Sequence, residues 1–572
     1  MTSPHFNFED FCTFIQINIQ DPMPALAPYT QPLTEETAAH LLRRATFGPS
    51  ALDVSTFVGL SAGQALDILL QPTVPPSPPL NKSTGEIWTN PAPPPGSLGD
   101  SERREELLGW WLDAMYRQPL SLTERMIWFY HTHFPTIESR LNHSAALYYQ
   151  LAFFRHYALG NYKDLTRSMC IDNAMLVHLD GTLNEAGAPQ ENFAREFFEL
   201  FTVGKGEQLS PDNYTTFTEQ DVQAATRVLT GWGTDFTFTT ADAVTGIPTG
   251  KVKANGQGQA FKHDSGTKQF SAAFGNTLIQ PGSLQGSLVS VAGMYEELDA
   301  FIQMVFSSVH TARHFIRKLY RFFVYYRITP DVETNVIVPL AQQFMNEQFE
   351  VSGVLRTLLT CNHFYDADDA ITQNDVRGAL IKSPVEVTLG TLRSLEISMP
   401  TMAPGNLNIY YSAWSTSVYK ALDGQGLPVY EPYDVAGYDP YYQFPGYNRL
   451  WITPNNLAMR YKMSENLMAG VNDMDGNLLF RFDPVAFVQQ RISNPADPDL
   501  LVSGLIKLMI PVTLSNERYQ FFRDNVLLDT LSAFNWGIEW TQFVNGGPDT
   551  NVRVQLEALF RALIQCPEYQ LI

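Results

Sequence analysis

The sequence predicts a mainly α-helical protein: a compact multi-helical body with a small β/loop insert. Three observations carry that expectation. Apolar and aromatic residues recur at spacings of three and four through most of the chain, as the core-facing stripes of helices do. One internal block, residues 233–290, breaks that rhythm with Gly, Thr and Ser and with β-like pieces such as Phe236-Thr-Phe-Thr-Thr240. No flexible linker separates the helical blocks, so they are expected to pack together.

In chain order, residues 1–33 read as an N-terminal arm ending near Asp21-Pro22-Met23-Pro24. A helical block follows over 34–232. Thr34 caps its first helix, Glu35 and Glu36 sit in the first turn where the helix dipole favours acids, and Gly48-Pro49 stops it. Ser50-x-x-Asp53 and Ser61-x-x-Gln64 mark two more helix starts, the second as a capping box. From Gln71 to Gly99 the Pro, Ser and Gly content predicts an irregular excursion. Trp110, Trp111 and Met115, then Met126, Phe129 and Tyr130, restore the helical stripe. Residues 233–294 form the insert of short hairpins and loops. The block 295–572 is helical again, interrupted by a Tyr/Pro-rich loop region at 400–450. Leu355-Arg-Thr-Leu-Leu-Thr-Cys-Asn-His-Phe364 and Phe560-Arg-Ala-Leu-Ile-Gln-Cys-Pro-Glu-Tyr569 share a pattern without a fixed period, which predicts two similar helix ends rather than a solenoid.

Composition narrows the function. The 572 residues are 44% hydrophobic and 17% charged, which supports large cores and argues against disorder. Their 38 Lys+Arg against 59 Asp+Glu give −21, the wrong sign for a protein that binds nucleic acid by neutralising phosphates. Cys12, Cys170, Cys361 and Cys566 lie far apart, with no C-x-x-C pair, and read as buried thiols. No run of eighteen apolar residues predicts a transmembrane segment. The first residues lack the basic and apolar regions of a secretory signal, so on this sequence the protein is expected in the cytoplasm. Walker A, GxGxxG, GxSxG and HExxH patterns are absent, which argues against nucleotide, nicotinamide and standard serine-hydrolase chemistry.

The densest polar cluster is Gln190-Glu-Asn-Phe-Ala-Arg-Glu-Phe-Phe-Glu-Leu-Phe-Thr202. On a helix, Glu191, Arg195 and Glu199 follow at i, i+4 and i+8, with Asn192, Glu196 and Glu199 in the adjacent row. This is either a Glu–Arg–Glu ladder or a semi-buried carboxylate row able to hold a metal or move protons. His131-Thr-His133 supplies imidazoles, but on a helix the two diverge by about 200°. His263-Asp264 lies in the Gly-rich insert, where a polar pair reaches a ligand or fixes a turn. Tyr430, Tyr433 and Tyr438 make the 400–450 region a cover for the core or a groove lining.

Taken in order, several segments resemble the DUF1800 family of bacterial proteins, which has no assigned activity. They are His40-Leu-Leu-Arg-Arg-Ala-Thr-Phe-Gly48, Trp128-Phe-Tyr-His-Thr-His-Phe134, Leu159-Gly-Asn-Tyr-Lys-Asp-Leu165, Asp172-Asn-Ala-Met175 and Glu191 to Thr202. Thr218-Glu-Gln-Asp-Val222, Arg227, Thr230-Gly-Trp232, Phe261-Lys-His-Asp264 and Lys268 complete the set. The likeness runs over most of 34–460. Family members typically carry an export signal, so the resemblance implies export if the start has been trimmed. Where the family tends to Pro-Asn-Val-x-Gly-Trp, this chain has Tyr433-Asp-Val-Ala-Gly-Tyr438.

Two functions remain open at this level. The leading one is an acidic binding or assembly protein acting with a protein or glycan partner at the cell envelope, which suits the surplus of Tyr and Trp. The other is metal-assisted or acid/base hydrolysis, with Glu196 and Glu199 as ligands or base, His131 and His133 as nitrogen ligands, Arg195 orienting an anionic group, and a divalent metal as cofactor. Arg195 is expected to be substantially buried and paired with Glu191, Glu199 or Asp180, since Phe193, Phe197, Phe198 and Phe201 leave its helix little polar surface.

Overall fold

The computed structural model describes residues 24–89 and 99–572. Most of the expected arm, Cys12 and part of the 71–99 excursion lie outside the described residues. Helix accounts for 55% of the structure. The strands are short antiparallel pairs, three of which fall wholly or partly in the expected insert: Trp232–Gly233 with Lys251–Val252, Lys268–Gln269 with Leu278–Ile279, and Leu284–Gln285 with Leu288–Val289.

The local signals act as their chemistry requires. Thr34, Ser50 and Ser61 each close a capping box with the residue three positions on, Ser50 included. Gly48 adopts φ +107°, and a Cβ there would lie 2.6 Å from the Gly390 Cα, so two glycines permit the chain to cross the helix Pro384–Ser394. The shared pattern at 355–364 and 560–569 also resolves. Each helix stops at a cysteine in extended conformation, Cys361 or Cys566, and continues as one 3-10 turn, Asn362–Tyr365 or Pro567–Gln570. Cys170, Cys361 and Cys566 are free and buried.

The centre of the body is the helix Thr123–His133, every residue of which is buried. It packs on the helix Ser144–His156, and its Phe129 meets Phe315 and Phe322 of the helix Val309–Phe323 edge-on. A helix surrounded on all sides must neutralise its own charges. Glu124 pairs with Arg155, and Arg125 with Glu386 at 2.8 Å.

The 400–450 region departs from expectation. A helix runs through Leu407–Tyr411, a π-helical stretch Ser412–Val418 and Tyr419–Gly424. Its Tyr, Ser and Thr content has low helix propensity, so the period is hard to see in sequence. Packing decides instead: the segment lies on the helix Asp100–Tyr116, where Ser415 Oγ donates to the Glu105 carbonyl at 2.6 Å. Among the described residues, no helix is long and apolar enough to cross a membrane.

Candidate functional site

The polar cluster at 190–202 is not one regular helix. Asn192–Glu196 is α-helical and Phe197–Phe201 is a π turn, while Glu191 stands before the first turn. The wider turn has local causes. Thr202 Oγ1 donates to the Phe197 carbonyl at 2.7 Å, and the Gly204 amide donates to that of Phe198 at 2.8 Å. Gly204 is at φ +69° against His314, leaving no room for a side chain. The i, i+4, i+8 ladder is therefore broken. Arg195 is 27% exposed rather than substantially buried, and it bridges Glu191 at 3.4 Å and Glu219 at 2.9 Å. Glu219, from the next helix, was not among its expected partners. Glu199 pairs instead with Lys205 at 2.6 Å, and Asp180 accepts from Asn192 at 3.3 Å. Glu196 is left over. It has no hydrogen bond or ion pair among the described residues, and burial, followed by the charges of Glu199 and Asp434, pushes its carboxyl up to about 7.

The two histidines diverge, as helical spacing requires. His131 lies among Trp111, Trp128 and Tyr430, with Nε2 3.1 Å from the Tyr438 hydroxyl. That hydroxyl donates to the Pro428 carbonyl, so His131 donates from Nε2 and its buried Nδ1 has no partner. Burial pushes its pKa down to about 3. His133 faces another direction. Its Nε2 donates to the Tyr162 hydroxyl at 2.8 Å, which donates on to the Phe201 carbonyl at 2.5 Å. His133 Nδ1 is therefore the acceptor for Lys318 Nζ at 3.1 Å. Among the described residues, no group of three or more His, Cys, Asp or Glu side chains is arranged to hold a metal ion, so His131, His133, Glu196 and Glu199 do not form one ligand set.

The remaining residues singled out in sequence are placed as follows. His263 Nε2 lies 3.1 Å from Glu297 Oε2, which also accepts from Lys268. The three side chains are at most 1% exposed. His263 Nδ1 lies 2.9 Å from the Thr230 carbonyl, and Asp264 takes a two-pronged bond from Arg227, both at 2.9 Å. Every member has a partner, so this cluster clamps the insert onto the helix Val291–Phe306. Tyr430 and Tyr438 are buried and Tyr433 is exposed, so two of the three expected groove residues belong to the interior.

A cavity of about 50 Å³, room for roughly four waters, opens beside His133. Its walls are aromatic, including Phe129, Phe322, Tyr441, Tyr447 and Trp451. Lys318 and Arg321 line it one helical turn apart, and neither has an ion-pair partner among the described residues. Lys318 Nζ donates to the Leu200 carbonyl at 2.8 Å and to His133 Nδ1. Burial, then the charge of Arg321, pushes its ammonium down to about 7. Arg321 lies 5.0 Å from the Tyr447 ring centroid, with a buried Nε that has no partner. Asn448 is 8% exposed, and both its amide oxygen and its amide nitrogen are buried without partners.

The sequence signature described as a protein of unknown function (DUF1800) matches residues 40–571. The chain belongs to the DUF1800 family. No curated protein and no solved structure matches it. The family match extends past residue 460 to take in the C-terminal helices.

Within this DUF1800 chain, the cavity residues Lys318, Arg321 and Asn448 were missed in sequence. A signal was present for two of them. The helix Val309–Phe323 carries His310, Arg313, His314, Arg317, Lys318 and Arg321 and no acid, in a chain of net charge −21. Such a helix is a local reversal of the chain's charge. Of its basic side chains, Arg317 pairs with a carboxylate, Glu333. Asn448 had no sequence signal, because an asparagine in a Tyr/Pro-rich loop reads as a turn residue.

Proposed function

We propose that the protein is a binding component for an acidic saccharide, the carboxylate-bearing end of a cell-envelope glycan, whose carboxylate enters the cavity beside His133. The observation that carries this reading is the pair of cations, Lys318 and Arg321, that line an aromatic cavity without an ion-pair partner, while Glu386 of the same lining is taken by Arg125. A guanidinium in such a place suits a ligand carboxylate. The unpaired amide of Asn448 offers one donor group and one acceptor to hydroxyls. Tyr441, Tyr447 and Trp451 supply flat apolar faces for the C–H side of a ring. Titration calorimetry with glucuronate and glucose tests it. Glucuronate is expected to bind and glucose not, and Arg321→Gln weakens glucuronate at least about tenfold, ~1.4 kcal/mol. Equal affinity for the two sugars, or an Arg321→Gln variant that binds like the wild type, would overturn the reading.

One observation favours a second reading, acid/base hydrolysis. Glu196 is the acid of its cluster with no partner, and burial, then the charges of Glu199 and Asp434, raise its carboxyl to about 7. A carboxyl held there is protonated often enough at neutral pH to serve as a general acid. Release of reducing ends from an acidic polysaccharide, lost in Glu196→Gln, is the expected result. Undiminished release by that variant removes Glu196 from the chemistry.

A further inference from the structure

We propose that Lys318 is an amine nucleophile that captures the carbonyl carbon of a small aldehyde acid or keto acid in the cavity, an inference that rests on the cavity being the ligand site. The geometry comes first. Lys318 sits in the body of the protein with no carboxylate partner, and the acceptors of its Nζ are neutral: the Leu200 carbonyl and His133 Nδ1. The charged groups that act on it are His133 from the central helix and His314 and Arg321 from its own helix, each basic. Of the other titratable groups lining the cavity, Glu386 is held by Arg125, and Tyr326, Tyr441, Tyr442 and Tyr447 are phenols. An amine that is both desolvated and beside a second cation is the arrangement that activates lysine toward carbonyl compounds. The ammonium pushed down to about 7 agrees with this.

The hydrogen-bond chain also settles orientation. Because Tyr162 donates to Phe201 and accepts from His133 Nε2, His133 must present a bare Nδ1 to Lys318. In the neutral amine both N–H bonds are then committed, one to Leu200 and one to His133. The lone pair takes the remaining tetrahedral direction. When it attacks, the new C–N bond forms as the carbonyl π pair moves onto oxygen. The two amine hydrogens leave with that oxygen as water, and His133 Nδ1 is the acceptor placed to pass one of them. The product is an imine, with no change of oxidation state and no other reactant. Arg321, one turn along the helix, is the positioning residue for the carboxylate of the same ligand.

The test uses the full chain with glyoxylate and cyanoborohydride at pH 7, followed by peptide mapping. Lys318 is expected to acquire the reduced adduct on the order of a hundredfold faster than the exposed Lys420 and Lys462. Its labelling should rise with a midpoint near 7 rather than above 10. Lys318→Arg, which keeps a cation against the Leu200 carbonyl, should leave no adduct at this position. Arg321→Gln should slow labelling of Lys318 at least tenfold. Uniform labelling of Lys318, Lys420 and Lys462 in the wild type would overturn the proposal without recourse to any variant. Glycolate, which has the carboxylate and no carbonyl, separates this inference from the binding reading. Glycolate binding without Lys318 labelling sinks the amine chemistry alone. Labelling without glycolate binding sustains the nucleophile and sinks the anion site. Neither result defeats both.

Discussion

Replacing Glu386 by Gln will cost about 3–5 kcal/mol of folding stability, the usual consequence of removing one partner from a buried pair. Glu386 is the carboxylate that Arg125 meets at 2.8 Å, and Arg125 is 1% exposed. It serves more than that pair. Its charge also reaches Arg44, Lys382 and Arg460, all buried. Burial pushes the Glu386 carboxyl up, but Arg125 and the bonds from Ser383 more than reverse this and keep it ionised. Urea denaturation at pH 7 measures the loss. A deficit under about 1 kcal/mol would show that these cations need no counter-charge. The same apparatus reads a second effect in the wild type. Burial pushes Lys382 and Lys318 down to about 7, below the ordinary lysine value of about 10.4. The unfolded chain then binds more protons between those limits, so stability rises with pH from about 7 toward 10. Below about 7 their destabilising contribution is complete. A flat or falling profile between pH 7 and 9 would contradict the burial of both amines.

Glu297→Ala is expected to lose a similar amount, about 3–5 kcal/mol. Here the charge left behind is Lys268, 0% exposed, beside His263. The loss should be partly recovered by adding Lys268→Met, because the double variant replaces an unpaired charge with an apolar side chain of similar length. Thermal unfolding of the two variants decides this. A double variant less stable than Glu297→Ala would mean that Lys268 is needed for something other than its pair. Burial alone would raise the Glu297 carboxyl, yet the bonds from His263 and Lys268 lower it. Its stabilisation is therefore present above the ordinary carboxylate range and lost as the pH falls through and below that range.

Glu297→Ala leaves the cavity lining chemically intact, whereas Glu386→Gln alters one of its residues. Glu386 lines the cavity and pairs with Arg125. The Glu297 cluster contains His263, Lys268 and, through Asp264, Arg227, which are residues of the family resemblance. A family motif made of charged residues need not be a reactive centre. In this chain the motif residues of the insert have their partners and act as a clamp, while the groups without an ion-pair partner, Glu196, Lys318 and Arg321, lie elsewhere.

Much of the fold was legible before any coordinates. The helix starts at Thr34, Ser50 and Ser61, the two similar helix ends and the Gly/Thr/Ser insert all depend on residues within a few positions of one another. Short-range hydrogen bonds and helical period are properties of a linear sequence, so they can be read from it. The same logic foretold that His131 and His133 point apart. It failed at Leu407–Gly424, where contact with a distant helix outweighs poor propensity, and at Phe197–Phe201, where a π turn shifts every spacing after it.

What the sequence alone determined, then, is the helical class, the element boundaries set by caps and the family. The tertiary structure decided which charges have partners. Arg195 takes Glu219 from the next helix, Glu199 takes Lys205, and Glu196 takes none; Lys318 comes to rest against His133, 185 positions away. Helical spacing limits which neighbours on one helix can meet, but it says nothing about a carboxylate arriving from elsewhere. Desolvation, which moves Glu196 and Lys318 toward about 7 from opposite sides, depends on atoms packed around a group in space and has no local sequence cause.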